Sequence, residues 1–83
     1  MKTIYLLMWE GQLGGGGGGG FEWHPEKQVM VETLANFLRT GPKKTYYWEF
    51  EIKVPSTATE DEINEIIENR AEELQNSKVA SRV

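Results

Sequence analysis

Few residues in this chain could do chemistry. His24 is the only histidine, and there is no cysteine. A transition-metal site would have to be completed by carboxylates around one imidazole, without the His/Cys sets that hold zinc or copper. A nucleophilic triad needs Ser or Cys with His and an acid. Ser56, Ser77 and Ser81 fall in connecting or terminal segments, and none stands in a nucleophile-elbow pattern. His24 precedes Pro25 and reads as a residue at a helix start. Glu49 and Glu51 share one face of a strand, but acid–base work needs a pocket that shifts one carboxyl's pKa, and a solvated face supplies none. The residues predict no catalytic site, no metal site and no cofactor.

The run Gly14 to Gly20 could carry a different chemistry. It satisfies G-x-G-x-x-G, for instance with Gly14, Gly16 and Gly19, but a homopolymer satisfies any glycine pattern. The Walker pattern fails, because Phe21 and Glu22 stand where Lys and Ser/Thr belong. Seven glycines predict a flexible tether first, since glycine loses the most backbone entropy on ordering. The run also resembles an engineered linker that replaces a loop or joins two permuted ends. Phosphate or nucleotide binding there is the alternative expectation.

The elements that must position any site are clearer. Lys43 to Val54 alternates strictly. Tyr46, Trp48, Phe50, Ile52 and Val54 share one face, and Thr45, Tyr47, Glu49, Glu51 and Lys53 share the other. That predicts a strand with one buried face and one wet face. Thr3 to Trp9 is a second strand, apolar on both faces: Ile4, Leu6 and Met8 on one, Tyr5, Leu7 and Trp9 on the other. Such a strand is covered on both sides or meets another chain. Phe21-Glu22-Trp23 is a candidate hairpin return.

Two helices follow from periodicity. Pro25 and Glu26 open one that runs to about Thr40, with Met30, Leu34, Phe37 and Leu38 as its apolar stripe, Val31 and Ala35 beside it, and Gly41-Pro42 as its stop. Thr59 and Glu62 form a capping box for the other, whose stripe is Ile63, Ile66, Ile67, Ala71 and Leu74. Its acids, Glu60, Asp61, Glu65, Glu68, Glu72 and Glu73, read as a solvated face. Asn76 to Val83 reads as a frayed tail.

An 83-residue chain is one small domain, residues 1–83. It buries only about 60% of its unfolded surface. Three Trp, three Tyr and three Phe supply large buried areas in place of disulfides. The expected fold is α+β: a two-layer sandwich in the order β, glycine loop, α, β, α. Both helices pack on one face of a two- to three-stranded sheet, the two long strands run parallel if they are neighbours, and dimerisation can extend the sheet.

The net charge of −4 disfavours general nucleic-acid binding. The apolar run at the N-terminus is too short to span a membrane, so the reading is a cytoplasmic protein with no membrane partner. The expected function is a non-enzymatic protein-binding module, a small regulator or inhibitor, with another protein as partner and a homodimer as its state. The predicted contact residues are Tyr47, Glu49, Glu51, Thr45, Trp9 and Trp23, aromatics and acids typical of contact patches. In size and composition the chain resembles the small accessory and inhibitor proteins that viruses and mobile elements encode. Stacking of single-stranded nucleic acid on the sheet aromatics is a further alternative.

Overall fold

The computed structural model describes residues 1–11, 18–40 and 45–82. Along the chain lie β1 (Lys2–Gly11), β2 (Gly18–His24), α1 (Lys27–Thr40), β3 (Thr45–Val54), α2 (Glu60–Ser77) and β4 (Ser81–Arg82). The α+β class and the order of the long elements agree with the sequence reading. The sheet is larger than expected, with four strands among the described residues, in the order β2-β1-β3-β4. Every pairing is antiparallel.

The expected parallel pairing of the two long strands is therefore wrong. β1 runs antiparallel to β3 in an unbroken register from Lys2↔Val54 to Gly11↔Thr45. The reason is β2, which reverses the chain before α1 begins. The helix crosses from β2 to β3, which run parallel to each other with β1 between them. This is a split β-α-β unit. The tail differs too: α2 continues to Ser77, and Ser81 and Arg82 pair with Tyr47 and Tyr46. Val83 lies outside the described residues, as do Gly14 to Gly17 of the glycine run. Gly18 to Gly20 are strand, so the run is not a tether throughout.

The layering also departs from expectation. Directly opposed residues in an antiparallel pair share a face. Ile4, Leu6 and Met8 thus lie with Ile52, Phe50 and Trp48, and with Trp23 and Phe21 of β2. This face packs on Ile63, Ile67 and Leu74 of α2. Trp23 Nε1 donates to Asn64 Oδ1 at 2.7 Å, and Trp48 Nε1 donates to the Lys78 carbonyl at 3.1 Å. α1 covers the other face, where the Phe37 ring lies 5.8 Å from Trp9 and 6.4 Å from Tyr47. The helices flank the sheet rather than sharing a side, giving three layers. The cause is β1: Leu6 is 0% and Leu7 1% exposed, and two adjacent buried strand residues need cover on both faces.

Local signals set the helix ends. Thr59 Oγ1 accepts the Glu62 N–H at 3.3 Å, and Glu62 Oε1 accepts the Thr59 N–H at 3.1 Å, which completes the expected capping box. α1 begins at Lys27, two residues later than Pro25 suggested, and its first turn holds no acid. The Met30 N–H donates to the Glu26 carbonyl at 3.3 Å, which places Glu26 at the cap position.

Two-sided burial of β1 has a direct test. Leu7→Ala should destabilise the chain by about as much as Leu6→Ala, each by about 2–5 kcal/mol in denaturant unfolding. A cost for Leu7→Ala of under about 0.5 kcal/mol, typical of a surface site, would contradict the placement of α1.

Candidate functional site

The α1 side of the sheet holds most of the predicted contact residues. Trp9 sits opposite Tyr47 on β3 and opposite Gly20 on β2. Phe37 lies tilted against Trp9 and edge-on to Tyr47, so three rings pin the C-terminal half of α1 to the sheet. Gly20 completes this arrangement. A Cβ at position 20 would stand 2.6 Å from Trp9 Cζ2 and 2.9 Å from Cε2, closer than any real contact. The indole lies where a side chain would be, so this position needs glycine for close approach. A spacer does not explain that requirement. The pairing is the aromatic cover that edge-strand glycines receive in well-formed sheets.

Beside the rings, β3 presents Glu49, half-buried, and Glu51, exposed. They line a cavity of about 320 Å³ with Lys27, Met30 and Lys78. Lys78 reaches across the edge, with its Nζ donating to the Glu49 carbonyl at 3.0 Å and standing 5.9 Å from the Phe50 ring centre. The expectation that this sheet face is bare does not hold, because α1 covers its Trp9–Tyr47 end. What is bare is on α1 itself. Met30 is buried and Leu34 and Phe37 are half-buried, but Leu38 and Val31 are exposed. The apolar arc of α1 is wider than its contact with the sheet, so part of the expected stripe faces outward.

The structure brings Trp9, Tyr47, Glu49 and Glu51 to one face and sets Trp23 on the opposite one, bonded to Asn64 of α2. Thr45 opens β3 opposite Gly11. His24 Nε2 lies 3.5 Å from both Thr33 Oγ1 and Glu22 Oε1, a local contact at the end of β2. Among the described residues no group of three or more His, Cys, Asp or Glu side chains could hold a metal ion. No helix there is long and apolar enough to cross a membrane. Sequence reasoning missed Val31 and Leu38 as surface residues and Lys78 as an edge residue. The signal for the first was the width of the apolar arc. Nothing in the sequence pointed to the second.

The Trp9–Gly20 contact makes a sharp prediction. Gly20→Ala should lower stability by about 1–3 kcal/mol, because the ring is wedged by Phe37 and cannot move aside freely. Gly19→Ala, whose Cβ meets only the Trp9 carbonyl at 3.4 Å, should be near neutral. Thermal melts of the two variants check this, and equal melting temperatures would show that Trp9 does not occupy the position beside Gly20.

Compared with protein-family models, curated proteins and solved structures, the chain matches none.

Proposed function

We propose that this chain is a non-catalytic protein-binding module, a small regulator or inhibitor, that docks its partner on the outer side of α1 and the adjoining face of β3. The observation that carries this is the exposure of Val31 (48%) and Leu38 (41%), two turns apart on a helix already held to the sheet by Phe37 and Met30. Exposed aliphatic side chains on one helix face, with acids on the neighbouring strand, favour a contact patch over a solvated surface. Glu49, Glu51 and the net charge of −4 favour a partner surface that combines aliphatic side chains with Lys or Arg. The reading also fits the chain's resemblance in size and composition to small inhibitors.

The two other readings find less support. Of the three sheet aromatics on the α1 side, Tyr5, Trp9 and Tyr47, the last two have Phe37 against them, which speaks against base stacking there. Gly18 to Gly20 belong to an edge strand rather than to a loop opening a helix, which speaks against a phosphate cradle. A homodimer belongs to the favoured reading, because the outer edge of β2 has no pairing partner among the described residues.

The test places a photo-crosslinking residue at Leu38 or, as a control on α2, at Glu68, with the full chain in its native host. A single adduct from position 38 that weakens at high salt and disappears on Val31→Glu supports the docking face. Equal adducts from both positions, or an adduct indifferent to Val31→Glu, would overturn it.

A further inference from the structure

The sheet treats its two edges differently. Tyr46 and Tyr47 of β3 pair with Arg82 and Ser81, and the Lys78 amine takes the Glu49 carbonyl beyond them at 3.0 Å. The outer edge of β2 pairs with nothing among the described residues. It presents a row of unpaired N–H and C=O groups. Of the usual protections it has only the carboxylate of Glu22, since Gly18–His24 contains no Lys and no Pro and runs residue for residue against β1 without a bulge.

We propose that β2 pairs antiparallel with β2 of a second copy of this chain, across a two-fold axis at Phe21, joining two four-stranded sheets into one. This fixes the interface of the homodimer proposed above and rests on that reading. The first reason for this occupant is self-complementarity. One half of β2 is glycine and the other half is bulky, as Gly18-Gly19-Gly20 precedes Phe21-Glu22-Trp23-His24. Pairing about Phe21 sets Glu22 opposite Gly20, Trp23 opposite Gly19 and His24 opposite Gly18 of the second copy. No like charges are directly opposed, and each large flanking side chain faces a position without one.

The second reason is the shape beside the strand. A cavity of about 380 Å³ lies next to Gly19 and Gly20, walled by Phe21, Met8, Ala71 and Gln75. Another, of about 570 Å³, lies on the other side of Phe21, next to Trp23 and Asn64. The two-fold exchanges the halves of β2, so Trp23 of the second copy closes the first cavity while its own Nε1 stays bonded to Asn64. The third reason is a donor without an acceptor: the Trp9 indole N–H has no hydrogen-bond partner among the described residues. Glu22 of the second copy falls beside Gly20, on the face where Trp9 lies.

The chain's lack of cysteine makes the geometry testable. Residues directly opposed in an antiparallel pair have Cα atoms about 4.5–5.5 Å apart, inside the disulfide range. Oxidised Phe21→Cys should give a disulfide-linked dimer. Gly19→Cys should not, because it sits about 14 Å from its counterpart at about 3.4 Å per residue. Phe21→Cys sacrifices packing, so the unaltered chain is measured as well. Sedimentation should show twice the 9.5 kDa chain mass as concentration rises to millimolar. Amide shifts on dilution should concentrate on Gly18–His24 and leave Val31 and Leu38 unmoved. A monomer at every concentration would overturn both the homodimer and this interface. A dimer whose shifts fall on α1, or which Gly19→Cys crosslinks and Phe21→Cys does not, would overturn the β2 interface alone.

Discussion

Leu6 and Leu7 are neighbours on one strand and both are buried. Successive strand residues point to opposite faces, so β1 must be covered twice. The described residues hold two helices to do this, and one goes to each side. That assignment fixes the rest. β1 becomes the inner strand between β2 and β3. α1 must cross over it on the way from β2 to β3, and α2 takes the face that carries Trp23, Trp48 and Phe50. The antiparallel register follows, because β2 has already turned the chain around.

The two helix layers are built differently. α2 buries three aliphatic residues, Ile63, Ile67 and Leu74, over a sheet face rich in large side chains. Two indole N–H groups on that face find acceptors, that of Trp23 in Asn64 and that of Trp48 in the carbonyl of Lys78, so the polar tips of these two tryptophans are satisfied. Among its described residues α1 buries Met30, and it is held further along by the contact of Phe37 with Trp9 and Tyr47. Trp9 gains its place from Gly20. A helix held along one narrow line keeps its remaining apolar residues at the surface, which is why Val31 and Leu38 are available for contact.

The same economy shows at the sheet edges. The last residues of the chain return from α2 and pair with the start of β3, and Lys78 takes a further carbonyl on that edge. No segment is left to do the same for β2 among the described residues. A small sheet closed on one side only has an asymmetric surface: a guarded edge, an open edge and a partly clothed helix. The charged residues of α2 add a fourth feature, a solvated acidic face on which Glu60, Asp61, Glu62, Glu65, Glu68, Glu72 and Glu73 are all exposed.

Much of this was written in local sequence. Alternation from Thr45 to Val54 determined β3, the apolar period determined both helices, and Thr59 with Glu62 determined where α2 begins. Each of these signals depends on neighbours within one turn or one strand. β1 also carried its own message, since apolar residues on both faces called for cover on both sides or for a second chain. Only the tertiary structure decided how they were supplied. Whether β1 and β3 run parallel or antiparallel, which face each helix takes, and that Gly20 must be bare for Trp9 depend on residues far apart in the chain meeting in space. Periodicity records which side of an element is apolar, not what lies against it. The predicted contact set divided for that reason: Tyr47, Glu49, Glu51 and Trp9 share a face by register, while Trp23 is on the other because β2 pairs with β1 one residue out of step with that grouping.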